Sequence, residues 1–254
     1  MTITDSTSST ASTPNVIAAY AEAATKIYGE GDTQVVALNS VDVGFQAGEF
    51  TAIMGPSGSG KSTLMHSLAG LDRLTSGRVV IGDVDLSQLS EKDLTLLRRT
   101  KIGFVFQAFN LIPTLTADEN ITLPLDLGKA TQDKEWIGED VRAVGLSDRL
   151  GHKPAELSGG QQQRVAVARA LASRPEVVFA DEPTGNLDSQ TGAAILDFMQ
   201  NAVRQYRQTI VMVTHDPVAA SYADRVIFLG DGEIRSELRD PDTDSILASL
   251  RSSN

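Results

Sequence analysis

From Gln34 onward the chain alternates short β-rich apolar runs with stretches whose apolar residues repeat at helical spacing. Phe50–Met54, Val79–Ile81, Ile102–Phe106, Val177–Ala180, Ile210–Val213 and Val226–Leu229 read as strands. Val177-Val178-Phe179-Ala180 and Ile210-Val211-Met212-Val213 contain no polar position. Such runs suit strands covered on both faces, so a largely parallel sheet is expected. Ser62–Ala69 and Gln162–Ser173 read as helices, the second ending before Pro175. Between Gln107 and Leu157 strand signals thin out, and Pro113, Pro124 and Pro154 punctuate helical stretches. This predicts a mainly helical subdomain, about residues 108–165, inserted in an α/β core. Asn15–Thr25 stays open: its alanines favour helix, yet so short a segment also fits an edge strand.

The ends carry less pattern. Met1–Pro14 is mostly Ser and Thr, has nothing to bury, and is expected to be a disordered tail. One domain over residues 15–240 is expected, then a polar C-terminal tail, 241–254, with at most a short helix around Ile246–Leu250. No repeat of fixed period is visible. The longest unbroken apolar run, Val16 to Ala21, falls far short of the roughly 20 residues of a membrane span. The first basic residue is Lys26, so no signal peptide is read and a cytosolic chain is expected unless a partner holds it elsewhere.

Composition narrows the chemistry. The 254 residues carry 22 Lys+Arg against 33 Asp+Glu, a formal net charge of −11. That balance argues against broad nucleic-acid binding, which needs a basic face. An anionic small ligand remains compatible, because a few backbone amides can build a local positive site. With 0 cysteines, disulfides, thiolate metal sites and a cysteine nucleophile are excluded.

Gly55-Pro56-Ser57-Gly58-Ser59-Gly60-Lys61-Ser62 fits the phosphate-loop pattern G-x-x-x-x-G-K-[ST]. Glycines let successive N–H groups turn inward around a triphosphate, and the helix starting near Lys61 adds its positive end. Lys61 offers charge to the β- and γ-phosphates, and the Ser62 hydroxyl is a hard oxygen suited to Mg²⁺. A strand precedes the loop and a helix succeeds it, as the pattern demands. The site is read as one for a nucleoside triphosphate.

A second cluster completes that chemistry. Val177–Ala180 delivers Asp181 and Glu182 to the carboxyl end of a buried strand, where open α/β sheets bind ligands. Asp181 is placed to hold Mg²⁺ directly or through water, and Glu182 to polarise an attacking water. His215 comes just after the strand Ile210–Val213 and stands to meet the γ-phosphate or the lytic water; Gln107 comes just after Ile102–Phe106 with an amide oxygen for the metal. His66 and His152 have no such placement and read as structural.

Leu157-Ser158-Gly159-Gly160-Gln161 opens the helix ending near Ser173. Ser158 and Gln161 have capping-box spacing, which alone explains a helix start. Two glycines in a first helical turn sacrifice up to about 1 kcal/mol each relative to alanine. Bare backbone there suits the close approach of an anion. Since the chain already has a phosphate loop, the second anion site is expected to serve a nucleotide held by another copy, two protomers enclosing two nucleotides about a twofold axis.

Together these residues resemble an ATP-binding cassette (ABC) ATPase, from about Ala21 to Ile234. In that resemblance Gly55 to Thr63 is the Walker A loop, Val177 to Glu182 the Walker B strand with its catalytic glutamate, and Leu157 to Gln161 the signature. Gln107 falls at the Q-loop, Asp188 in the D-loop, His215 at the switch histidine, and Tyr28 at the aromatic that stacks on adenine. Ala180 stands where leucine is usual, and the first strand is unusually rich in alanine. The resemblance implies a RecA-like phosphate-loop core with a mainly parallel sheet, an antiparallel β subdomain and an inserted helical subdomain. It implies ATP and Mg²⁺ as cofactors, with Ser62, Gln107 and Asp181 toward the metal, a homodimer closed on ATP, and no nucleic-acid partner. Phe109-Asn110-Leu111-Ile112-Pro113-Thr114-Leu115-Thr116, the three glutamines Gln161–Gln163, and Ala180 to Ser189 resemble the MacB/LolD branch. That branch implies a subunit held at the cytoplasmic face of the bacterial plasma membrane by a MacB/FtsX-like permease, powering export or extraction of lipoprotein, peptide or drug. The alternative within it is an FtsE-like ATPase that gates an extracytoplasmic activity without transport. The apolar stretch Phe109 to Leu115, next to Gln107, is expected to couple the site to the permease.

Overall fold

The computed structural model describes residues 16–128 and 145–252, and in it the apolar runs assemble two sheets. The larger is built on β3 (Phe50–Met54), β6 (Ile102–Phe106), β7 (Val177–Asp181), β8 (Ile210–Val213) and β9 (Arg225–Gly230). With β10 (Glu233–Arg239) its order is β10-β9-β3-β8-β7-β6. All neighbours pair in parallel except β10, which runs antiparallel to β9. Strands β3 and β8 are buried throughout, as expected of runs covered on both faces. The register aligns their carboxyl ends. Phe106 lies opposite Asp181, Asp181 opposite Val213, and Val213 opposite Ile53, so four strand ends stop along one edge.

The smaller sheet is antiparallel, in the order β2-β1-β4-β5, from β1 (Ile17–Tyr28), β2 (Val35–Gln46), β4 (Ser76–Ile81) and β5 (Val84–Asp85). The alanine-rich segment is therefore a strand, and a central one, not an edge: β1 bonds to β2 on one side and β4 on the other. Tertiary contact overrides its helical propensity, because Ala18, Ala19, Ala21 and Ala24 are buried where larger side chains are not required. The strand bulges at Ala23, whose φ is +46°, and its carbonyl fits against Gly77, where a Cβ would come within 2.3 Å.

Helix α1 (Lys61–Leu68) lies between the sheets, burying Leu64, Met65 and Leu68 with Phe45, Ile53, Ile81 and Phe179. The opposite face of the large sheet is covered by α3 (Ala117–Gly128), α4 (Gly159–Leu171) and α5 (Ser189–Tyr206), while α2 (Glu91–Lys101) packs beside β6. Within the expected helical insertion, α3 and the start of α4 are seen; residues 129–144, like the tail at Met1–Pro14, lie outside the described residues. Pro124 falls inside α3 rather than at a break, removing the bond its N–H would have made to Asn120. The chain beyond Arg235 is also more ordered than its polarity suggests. It completes β10 as an edge strand and then forms α7 (Thr243–Ser252), which packs on α6 (Pro217–Ala220) and buries Ile246 fully. No helix among the described residues is long and apolar enough to cross a membrane.

Candidate functional site: a cleft at the strand ends

Between β3 and α1 the loop Gly55–Gly60 is forced tight by its surroundings. A Cβ at Gly55 would stand 2.0 Å from the Leu229 carbonyl, and one at Gly60 2.3 Å from that of Ala37. Both residues also hold positive φ, +149° and +99°, which glycine accepts without strain. Lys61 folds back over the loop, its Nζ donating to the carbonyls of Gly55 (2.9 Å) and Pro56 (2.7 Å), with Ser59 Oγ at 3.5 Å. Burial lowers the Lys61 ammonium below its usual range, and the facing Glu182 and Asp181 oppose that.

A cleft of about 590 Å³ opens over this loop. Gly55, Ser57, Gly58, Gly60, Lys61, Ser62 and Thr63 form its floor; Gln107, Asp181, Glu182, Val213 and His215 come from the ends of β6, β7 and β8. The parallel register thus gathers residues scattered along the chain from Gly55 to His215. Pro56 and Ser59 belong to the loop but do not line the cleft, and Ser59 is buried. Val35 and Ala37 of β2 supply an apolar wall that no sequence motif marks.

Glu182 has φ +47°, a strained conformation for a residue with a side chain. Its N–H donates to the Val213 carbonyl at 2.9 Å and its carbonyl accepts from Gly185 N–H at 3.0 Å. The carboxylate Oε1 sits 2.7 Å from His215 Nδ1. An ionised carboxylate only accepts, so the histidine proton belongs on Nδ1 in this pair. Burial pushes the Asp181 carboxyl above its usual range and Glu182 adds to it, while His66 and Lys61 pull it down. His66, which reads as structural in the sequence, therefore acts on the Asp181 carboxyl. His152 stays in the helical region, its carbonyl accepting from Ala117 N–H.

Gln107 is exposed and tied to the turn after β7: Asn186 Nδ2 donates to its carbonyl at 2.9 Å, and its own Nε2 reaches Asn186 Oδ1 at 3.4 Å. The two residues after Ala108, Phe109 and Asn110, have φ +60° and +49°. Arg169 of α4 donates to both of their carbonyls, at 3.0 and 2.7 Å. Burial lowers the Arg169 guanidinium from its usual value. Fully buried Asn120 then staples the next stretch, accepting from Ile112 N–H and donating to the carbonyls of Ile112, Leu115 and Thr116. Of the expected apolar coupling stretch, Leu111 packs on the core, and Ile112 at 38% exposure and Pro113 face outward. From Asn110 a groove of about 280 Å³ runs along β6, the last strand of the sheet among the described residues, past Phe104, Phe106, Leu123 and Pro124.

Tyr28 does not line the cleft. Its hydroxyl donates to Asp72 Oδ2 at 2.5 Å, and Lys26 Nζ lies 4.7 Å from the ring centre while also bonding Asp72 Oδ1. Burial and the Asp72 contact raise the phenol, and the Thr63 hydroxyl, lowering it, marks how near the ring stands to the loop's end. Tyr28 is 42% exposed.

The segment Leu157–Gln161 also lies outside this chain's cleft. The capping box is complete: Ser158 Oγ accepts from Gln161 N–H at 3.3 Å, and Gln161 Oε1 accepts from Ser158 N–H at 2.9 Å. Leu157 is buried, while Ser158 and Gly159 are exposed. Gly160 has a reason within its own chain, since a Cβ there would meet Thr191 Cγ2 at 2.3 Å. Gly159 has more room, with Phe109 Cζ nearest at 3.7 Å. Thr191 in turn donates through Oγ1 to Asp188 Oδ2 at 2.6 Å, and Asp188 caps α5. The Thr191 hydroxyl and backbone amides hold the Asp188 carboxyl below its usual range.

Comparison with known proteins agrees with this geometry. A family described as ABC transporter matches residues 38–185. An ABC transporter ATP-binding protein of Methanocaldococcus jannaschii is 48% identical over 82% of this chain and 94% of its own length. The lipoprotein-releasing system ATP-binding protein LolD of Legionella pneumophila is 46% identical over 82% of this chain and 93% of its own. The bacitracin export ATP-binding protein BceA of Halalkalibacterium halodurans is 43% identical over 85% of this chain and 87% of its own. A solved ATP-binding cassette, a dimer in a post-hydrolysis state with ADP and Pi, superposes with a TM-score of 0.79 at 43% identity, covering 88% of this chain and 99% of that one. Likeness of this extent, along a chain whose strand ends gather a phosphate loop and an acidic pair, places it in the ATP-binding cassette family: it is the ATP-binding, ATP-hydrolysing subunit of an ABC transporter, of the LolD type.

Proposed function

We propose that two copies of this chain close on two MgATP molecules, and that the closure drives a membrane permease of the MacB/FtsX-like type. One observation carries the reading. The cleft gathers the phosphate loop, Gln107, Asp181, Glu182 and His215, while the exposed helix end at Ser158 and Gly159 stands outside it, placed to meet a nucleotide held by another copy. The solved relative that is a dimer with ADP and Pi supports the same arrangement.

The cleft fits a magnesium ion held jointly with phosphates. Ser62, Asp181 and Gln107 offer a hydroxyl, a carboxylate and an amide oxygen, and a carboxyl raised by burial, as Asp181 is, gains from a neighbouring cation. When bound, the ion neutralises charge on the β- and γ-phosphate oxygens. Loop amides and Lys61 cradle those phosphates, and Tyr28 offers the exposed face of its ring to the base. Glu182 orients the attacking water and accepts its proton as the new P–O bond forms and the bond to ADP breaks. His215, fixed by the Glu182 carboxylate, faces the transferring phosphoryl group. Ser158 and Gly160 of one copy meet the other's γ-phosphate, Leu157 and Gln161 hold that helix end in shape, and Asp188 braces it through Thr191. Hydrolysis removes the bridging charge, and the dimer opens.

Ile112, Pro113 and the groove along β6 form the face that docks the permease, which keeps the subunit at the cytoplasmic side of the plasma membrane. Relatives named for lipoprotein release and bacitracin export support export or extraction of a lipoprotein, peptide or drug as the coupled work. Glu182→Gln tests the cycle. Expected is ATP binding at wild-type affinity, single-turnover hydrolysis slowed at least a hundredfold yet still measurable, and an ATP-held dimer persistent in light scattering; a variant that turns over normally removes Glu182 from its role. Because the chain has 0 cysteines, Ile112→Cys gives a unique crosslinking position, expected to capture a membrane permease of the proposed type.

A further inference from the structure

Gln163 lies on α4, five residues beyond Ser158, and is completely buried. Its Nε2 donates to the Pro183 carbonyl at 2.6 Å. Its Oε1 has no hydrogen-bond partner among the described residues. A buried amide whose oxygen is unmatched is a poor way to stabilise a core, where an apolar side chain of the same length fits without desolvation. The one bond it makes falls on the residue after Glu182. That turn needs holding. Glu182 sits at φ +47°, Pro183 has no N–H to contribute, and Pro183 is itself buried, so its carbonyl requires a donor. The Val213 and Gly185 backbone groups fix one side of the Glu182 peptide, and Gln163 fixes the other.

We propose that Gln163 is a positioning residue for hydrolysis, holding the Glu182 turn so that the carboxylate meets the attacking water. The bond also ties Glu182 to the helix whose N-terminus, at Ser158 and Gly159, engages the other copy's nucleotide. Placement of the general base in one cleft thus depends on the seating of the helix that reaches into the next. This rests on the proposed role of Glu182.

The test uses the full-length protein. Gln163→Met and Gln163→Leu both remove the donor while filling the space, so either one reports if the other fails to fold. Expected is a kcat at least tenfold lower, with KM and the dissociation constant for MgATP within twofold of wild type. Glu182→Gln is run alongside, and the double variants complete a cycle. Removing Gln163 is expected to change nothing further once Glu182 is gone, whereas a general loosening of the fold would add its effect in both backgrounds. Wild-type kcat in the Gln163 variants, or kcat and ATP affinity falling together, or additive effects in the cycle, overturns the inference. If Glu182→Gln is slowed at least a hundredfold and the Gln163 variants are not slowed, only this inference fails. If Glu182→Gln turns over normally, the role of Glu182 itself is wrong.

Discussion

His215 Nδ1 lies 2.7 Å from Glu182 Oε1, joining residues at the ends of two neighbouring parallel strands into one unit. The carboxylate fixes the imidazole's tautomer and orientation, and the imidazole holds a glutamate whose backbone is strained. His215→Ala is expected to lower turnover by about 10²–10⁴-fold. Its MgATP affinity should stay near wild type, because the loop and Lys61 make the phosphate contacts. Steady-state kinetics beside equilibrium binding checks the split; parallel losses in both would place His215 in binding alone.

Gly160 has two reasons to be glycine, and they can be separated. A Cβ would lie 2.3 Å from Thr191 Cγ2, so Gly160→Ala should destabilise the monomer by about 1–3 kcal/mol through overpacking. Thr191→Ser removes the offending methyl and keeps the hydroxyl bonded to Asp188. The double variant should recover the lost melting temperature, worth about 2–4 °C for each kcal/mol in a chain this size. It should still dimerise poorly with ATP if bare backbone is also needed for the other copy's nucleotide. Full recovery of dimerisation would leave packing as the whole explanation.

What each residue touches decides how legible it is in the sequence. Phe50–Met54 and Ile210–Val213 are legible to the residue, because strands buried on both faces admit almost no polar side chain, and Ile102–Phe106 is legible as an apolar run although Phe104 and Phe106 stay partly exposed at the end of the sheet. The ambiguity at β1 arises because alanine is small enough for either structure, and only the contacts of Ala19 and Ala24 between two sheets decide it. β10 is hidden because an edge strand with Glu233, Arg235, Glu237 and Arg239 reads as a solvated tail. The phosphate loop and the acidic strand end are legible from spacing, since local backbone chemistry dictates both. Gln163, Arg169 and Asn120 are not. Each is a polar residue in a helix, and nothing along the chain says that its partner is a carbonyl on a different element.

Asp72 links Lys26 to Tyr28. Burial raises this carboxyl, but the hydrogen bonds from Lys26 and Tyr28 outweigh it and hold it below its usual value. A depressed carboxylate stabilises the fold above the unfolded value, about 3.9, and that contribution is lost as pH falls through the folded value. Asp72→Asn should therefore unfold at lower urea than wild type at pH 7, with the gap narrowing below about pH 4. It should also weaken ATP binding more than binding of inorganic triphosphate, since only the base uses Tyr28. Equal losses for both ligands would sever Tyr28 from the base.

Asn120 satisfies four backbone groups of the loop just beyond Gln107. Asn120→Ala leaves the Ile112 N–H and the Leu115 carbonyl without their partner, while the Ile112 and Thr116 carbonyls keep the backbone N–H groups of Leu115 and Asn120, and should cost about 1–3 kcal/mol. The loop carries Ile112 and Pro113, so capture of the permease by Ile112→Cys should fall in that background while ATP-held dimerisation persists. Denaturant melts and crosslinking yield, measured on the same preparations, check both halves.

Ser158 carries two separable tasks, capping α4 and meeting the other copy's nucleotide. Ser158→Ala loses the cap, worth about 0.5–2 kcal/mol, and the hydroxyl, but leaves the bare backbone at Gly159 and Gly160 open to the other copy's nucleotide. In a Glu182→Gln background it should melt earlier yet still form the ATP-held dimer. Ser158→Arg loses the cap and also sets a long side chain across the amides that an incoming γ-phosphate needs. In the same background it should bind one MgATP per protomer, because the cleft is formed without residues 157–161. It should remain monomeric in light scattering at every ATP concentration. A persistent dimer of Ser158→Arg would mean that the exposed end of α4 does not face the nucleotide, and the enclosure of ATP between two copies would have to be rebuilt on another surface.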